Sequence, residues 1–230
     1  MGRVVKLAEV RMGELVDCAQ ALFFTQGYDN TTIADIIARA GVSKGGFYHH
    51  FESKEELLDA VIARVTDQVV ANGRDILEDE SLDALTKLNR FFSRSQQWKA
   101  DAAPAMRGIF LLVLKPENAP LYQRMVKAGL AVLAPVLTRI VEQGTRENLF
   151  DVADPEIVAE LLLHLANTRF ALSAEAIDAA RRGEVARATD LLVSRIRREE
   201  AIVDRLLGLP AGSVRFVESD QMKAILEAIK

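Results

Sequence analysis

The chain of 230 residues has one cysteine, Cys18, and so cannot close an internal disulfide. Its stability must come from burial, which suits a reducing compartment. It also has only three histidines, one tryptophan and 6% aromatic residues. His49 and His50 are adjacent, so on a helix they face different ways and make a poor metal pair. His164 lies in an apolar run with no Cys or carboxylate at ligand spacing. Gly41-Val42-Ser43-Lys44-Gly45-Gly46 is glycine-rich, but it lacks phosphate-loop spacing and no strand precedes it. No G-x-S-x-G occurs. These gaps leave no catalytic constellation, and neither a metal nor a cofactor is expected. Apolar runs of about 18 or more residues, as a membrane helix needs, are missing. Charges at Arg3, Lys6, Glu9 and Arg11 argue against a secretory signal. The expectation is a cytoplasmic protein that is not an enzyme. A basic excess is lacking too, since the net charge is −4.

What is present reads as helix. Half the residues are hydrophobic and 27% are charged, enough for a sizeable core in one large or two modest domains. No convincing alternating strand appears, so the expected fold is all-α. Residues 1–8 read as an arm. A first helix is predicted from about Lys6 to Gln26, with Cys18 on its apolar stripe as core. Ile33, Ile36, Ile37 and Ala40 sit at i, i+3, i+4 and i+7, one face of a second helix. Thr32 and Asp35 have the spacing of a capping box around its start. Gly41 suits a left-handed C-cap, and Ser43 can cap a third helix, about Lys44 to Phe51. Helix, glycine turn and helix within about twenty residues make a helix-turn-helix.

That third helix is a poor packing element. Gly45 and Gly46 open it, although each glycine costs up to about 1 kcal/mol against alanine in a helix interior. A small first turn lets backbone amides approach a phosphate or groove wall. Phe47 and Phe51 share a face that can bury, while Lys44, Tyr48 and His49 project outward. Ser53-Lys54-Glu55-Glu56 is a further capping box. The helix it opens carries Leu57, Leu58, Val61, Ile62, Val65 and Val69 on one side and meets no Pro or Gly before Gly73. It can therefore run unbroken from about 54 to 77, joining a domain of residues 1–53 to one of residues 54–230.

The residues from about 11 to 58 resemble the DNA-binding domain of the TetR (tetracycline-repressor-like) family of bacterial transcriptional regulators. The match includes Ala19, Leu22, Phe23, Gly27, Tyr28, Thr31, Thr32, Ile33, Ile36, Ala40, Gly41, Val42, Ser43, Lys44, Gly45, Tyr48, His50, Phe51, Lys54 and Leu57. It covers about a fifth of the chain; beyond it only length and helical character agree. The resemblance implies a homodimeric regulator, usually a repressor, released from a palindromic double-stranded DNA operator by a small molecule. On that basis Thr32, Lys44, Tyr48 and Lys54 are assigned to phosphates. Ser43, Gly45, Phe47 and His49 are assigned to base edges. The charge balance opposes this, because residues 1–60 hold six bases and nine acids, a net −3. The expected answer is positional: Arg3, Lys6, Arg11, Lys44 and Lys54 share one face and the acids point away.

Further on, helices are predicted over Leu82–Lys99, Pro104–Leu114 (ended by Pro116) and Pro120–Glu147, with Pro135 as a kink. Others follow over about 155–182 and 184–207, then a short one from Asp220 to Ile229. The helices over 155–182 and 184–207 are apolar enough for a dimer bundle. An ordinary intrachain core explains the same pattern, and it is the resemblance that favours dimerisation. Arg195, Arg197, Arg198, Glu199 and Glu200 read as a solvated face. Isolated polar groups among apolar helices suggest a small-molecule pocket. Trp98, Arg107, Phe110, Tyr122, Met125, His164, Asn167 and Phe170 are its candidate lining, and the Arg and His suit a lipophilic, anionic effector. For each of these residues a structural role explains the sequence as well. Two other readings remain: a protein–protein interaction module with a structural helix-turn-helix, and a regulator switched by a protein partner.

Overall fold

The computed structural model describes residues 2–115 and 118–230. They form eleven helices, with no strand among the described residues. None of these helices is long and apolar enough to cross a membrane.

Helix α1 (Gly2–Thr25) is followed by α2 (Ile33–Ala40) and the single-turn α3 (Lys44–Tyr48). The expected arm is therefore helical, being the first turns of α1. The capping box on α2 forms as its spacing predicts. The Asp35 N–H donates to Thr32 Oγ1 at 3.1 Å, and the Thr32 N–H donates to Asp35 Oδ2 at 2.8 Å. Gly41 ends α2 at φ 63°, a left-handed conformation that a Cβ would penalise. Ser43 caps α3 through the Gly46 N–H at 3.0 Å.

Helix α4 (Lys54–Asn72) runs without interruption from this domain into the next. It is followed by α5 (Arg74–Glu78), α6 (Ala84–Val113) and α7 (Ala119–Arg146). Two predicted helices fuse into α6, which carries Pro104 in its interior. A proline there costs about 3 kcal/mol. Burial on both sides of it, at Phe91 and Ala103 and at Ile109 and Leu112, offsets that cost. Pro116 lies outside the described residues.

The single helix expected over 155–182 is instead α8 (Pro155–Asn167) and α9 (Phe170–Arg181). At the break the Thr168 hydroxyl donates to the Leu165 carbonyl at 2.7 Å and receives Arg195 Nη2 at 2.6 Å. Neither Gly nor Pro marks this place. Helices α10 (Val185–Leu206) and α11 (Ser219–Ile229) complete the chain.

Of the expected solvated face on α10, Arg197 and Arg198 are exposed, but Arg195, Glu199 and Glu200 are not. Glu199 is buried between Arg195 and Arg169. Buried Asp204 accepts the N–H groups of Gly212 and Val214 at 2.7 and 2.8 Å, and Glu200 accepts that of Phe216 at 2.6 Å. Burial raises the Glu200 pKa from its ordinary value. Asp204 and Glu200, with Asn89 of α6, hold the segment after Pro210. That segment then delivers α11 against α6 and α10.

Three hydrophobic clusters form the interior. The first joins α1–α4 (Leu15, Phe23, Ile36, Phe47, Leu57) to the far end of α6 through Ile109, Leu112 and Val113. It therefore spans the expected boundary at residue 53. The second binds α6, α7 and α8 to the end of α10, and the third seats α11 on α9 and α10.

Candidate nucleic-acid interface and effector pocket

The surface of α3 and its cap is largely free. Thr32, Ser43, Lys44, Gly45, Tyr48 and His49 are all exposed, Tyr48 with 48% of its surface. A Cβ on Gly45 would meet nothing nearer than Ser43 Oγ at 4.0 Å. The fold does not require glycine there, so its smallness is available to something outside the fold. Phe47 is placed differently from expectation. It is fully buried, packed on Phe51 at 6.1 Å between ring centroids, and cannot present itself to a base.

Lys54 is also engaged within the fold. Its ammonium donates to the carbonyls of Tyr28 and Thr31 at 2.8 and 2.9 Å and lies 3.9 Å over the Tyr28 ring. Desolvation lowers its pKa, partly countered by Asp29 and Glu55. It clamps the turn before α2 to the start of α4 and has little capacity left for a phosphate. In the following cap, Ser53 accepts the Glu56 N–H at 3.1 Å, but Glu56 takes the N–H of Glu52 at 2.6 Å rather than that of Ser53.

A cavity of about 250 Å³ lies between α6, α7, α9, α10 and α11. Phe110, Tyr122 and Met125, three of the candidate residues, line it. Phe170 stands behind Tyr122, ring centroids 4.5 Å apart. Gln96, Lys99, Arg169 and Ser173 are polar lining that the sequence did not reveal. The remaining candidates lie elsewhere. Trp98 is half-buried outside the lining. Arg107 is exposed, donates to the Ile229 carbonyl at 3.0 Å, and borders a surface crevice beside Gly27–Asn30. His164 is exposed on α8, 3.4 Å from the Asn167 amide, and neither lines the cavity.

Residues 15–61 match the family model "Bacterial regulatory proteins, tetR family". The chain is 39% identical over 95 residues to HTH-type transcriptional repressor KstR2 of Mycobacterium tuberculosis, covering 41% of this chain and 47% of that one. It is 28% identical over 150 residues to HTH-type transcriptional repressor DhaR of Mycobacterium sp. (strain GP1), covering 65% and 75%. Residues 15–61 are therefore a DNA-binding domain of the TetR family. Its matches span about half the length of KstR2 relatives, and the likeness of fold reaches further. A TetR-family transcriptional regulator from Pectobacterium atrosepticum superposes with a TM-score of 0.60 at 20% identity, over 89% of this chain and 98% of that one. RolR in complex with its ligand resorcinol gives 0.58 at 18% identity, over 96% and 95%.

The acidic balance of this TetR domain has a structural explanation. Asp17 pairs with Arg64 and Asp59 with Arg124, both bases from beyond the first 60 residues. Asp35 is used in a cap, where the Thr32 hydrogen bonds lower its pKa, and Glu56 in the next one. The side chains of Arg3 and Lys6 lie outside the described residues; Arg11 pairs with Glu14 at 2.7 Å.

The TetR domain and the cavity share a wall. Val113 belongs to the domain's core and lines the cavity, and Met125 packs against that core while lining the same cavity.

Proposed function

We propose that this chain is a sequence-specific DNA-binding transcriptional regulator, a homodimeric repressor that a small molecule releases from its operator. The observation that carries the reading is the exposed face of α3 and its cap, built on a buried, fully capped helix-turn-helix. Lys44, Tyr48 and Thr32 bind phosphates; Ser43, Gly45 and His49 face base edges. Phe47 and Lys54 support this surface from within rather than touching DNA.

Dimerisation supplies the second half-site, about 34–36 Å away on one face of the duplex. Ile157 and Leu161 on α8 and Ile202 on α10 are 55%, 45% and 52% exposed, unusual for large aliphatics. This favours a face covered by a second copy. A ligand in the cavity presses on the α6 and α7 wall that also forms the TetR core. If it fits better when the two recognition helices are wrongly spaced, it lowers operator affinity by that difference in affinity.

The test is fluorescence-anisotropy binding to the DNA upstream of the protein's own gene and to genome-selected fragments, with scrambled competitor, at two salt concentrations. Competitor-resistant binding to a palindrome supports the reading. Weak binding that is indifferent to sequence and vanishes with modest salt overturns it and favours a protein-interaction module.

A further inference from the structure

The polar end of the cavity carries more positive charge than the protein neutralises. Lys99 enters from α6, Arg169 from the start of α9, and Arg195 stands behind it on α10. Among the described residues Glu199 is the one carboxylate paired with any of them, 3.0 Å from Arg169 Nη1 and 2.7 Å from Arg195 Nε. Among the described residues Lys99 has no acidic partner within ion-pair distance. Three cations against one anion leave a surplus of two.

The remaining neighbours do not change that balance. Gln96 and Ser173 are neutral, and desolvation raises the Tyr122 pKa, so the phenol keeps its proton. Helix α11 contributes only Met222 and Ile225. Lys99 lines the cavity and keeps an exposed surface there. Desolvation, aided by Arg169, pushes its pKa down to about 8. Arg169 is likewise lowered, chiefly by desolvation, but a guanidinium stays charged.

Partly desolvated cations that lack enough counter-charge are costly, and an incoming anion relieves that cost. The rest of the lining is apolar, including Phe110, Val113, Met125 and Ile196. A bare inorganic anion would leave those walls uncovered, while a neutral lipophile would leave Lys99 without a counter-charge. About 250 Å³ lies just below the usual span of small-molecule sites, roughly 300–1,000 Å³, so the occupant must be small.

We propose that the effector is a small amphipathic organic anion, a carboxylate on an apolar body, with Lys99 and Arg169 holding the carboxylate. This rests on reading the cavity as the effector site.

The test is calorimetric titration of the full chain without DNA, using matched pairs: decanoate against 1-decanol and 2-naphthoate against 2-naphthol, at pH 7. At least one acid is expected to bind, about tenfold or more tighter than its neutral partner. Lys99→Gln should weaken the acid about tenfold and leave the alcohol unchanged, and Lys99→Arg should restore the acid. Circular dichroism confirms that each variant is folded. Binding of no acid, equal binding of acid and alcohol, or a Lys99→Gln protein that binds the acid unchanged overturns the proposal. The regulator reading fails separately, since acid binding beside absent operator binding would sink that reading alone.

Discussion

The Arg124 guanidinium on α7 grips the Asp59 carboxylate on α4 with two hydrogen bonds, Nε to Oδ1 at 3.2 Å and Nη2 to Oδ2 at 2.6 Å. The same α7 carries Tyr122 and Met125 of the cavity wall, and the same α4 leaves the TetR domain. Both partners are well exposed, so the pair contributes little to stability, at most about 1 kcal/mol. Its expected role is to transmit movement. Arg124→Ala should lower the melting temperature by about 4 °C or less and reduce the factor by which an effector weakens operator binding. An unchanged factor, measured as the ratio of operator affinities with and without effector, would remove this pair from the coupling.

Gly45→Ala separates fold from function. The site has room for the methyl group, and alanine is the better helix former by up to about 1 kcal/mol. Thermal stability should hold or rise while operator affinity falls by about tenfold or more. A variant that binds DNA normally would show that α3 does not approach the groove at its first turn.

Tyr48→Ala and Phe47→Ala should part company although the residues are adjacent. Tyr48 is half-exposed, and its loss should change stability by no more than about 0.5 kcal/mol. Operator and scrambled DNA should weaken alike, as befits a phosphate contact. Phe47 is fully buried, and its truncation should cost about 3–5 kcal/mol. Denaturant melts and anisotropy on both variants decide the matter; a sequence-selective loss in Tyr48→Ala would move that residue to a base edge.

Lys99 gives stability a pH dependence of known sign. Its pKa is about 8 when folded, against 10.5 ordinarily. Below pH 8 both states hold the proton and the cost of desolvating the charge is fully present. Between 8 and 10.5 only the unfolded chain stays protonated, so this contribution to stability rises with pH. Urea midpoints of the parent and Lys99→Met at pH values on either side of 8 should diverge. Parallel curves would mean that Lys99 titrates normally.

Leu161→Glu with Ile202→Glu should yield monomers in size-exclusion chromatography with light scattering, and operator binding should drop steeply with the loss of the second half-site. A dimer that survives both changes must use another face.

The parts legible in sequence were those governed by neighbours along the chain. Thr32 with Asp35, Gly41, and Ser43 each act within a few residues, and their geometry follows from spacing. The cavity's charged end was not legible for the opposite reason. Arg169 and Lys99 are 70 positions apart, and only the break between α8 and α9 brings Arg169 round to Glu199. That break carries no proline or glycine. The spacing of Phe47 and Phe51 already pointed inward, and burial rules out the base-edge role that the resemblance gave Phe47. Arg107 and His164 looked inward because apolar residues flank them, yet both lie on outer faces. Flanking hydrophobicity reports the helix as a whole and not the side on which one residue falls.

The shared wall also bears on how such a protein can diverge. On the proposed reading, a substitution at Val113 or Met125 would alter the effector site and the DNA-binding domain together, so drift there would be penalised twice. The opposite wall, Met222 and Ile225 of α11 with Leu192 and Ile196 of α10, touches only the sensor side. Descendants of this chain can therefore acquire a new chemical stimulus from that side while obeying the same DNA address.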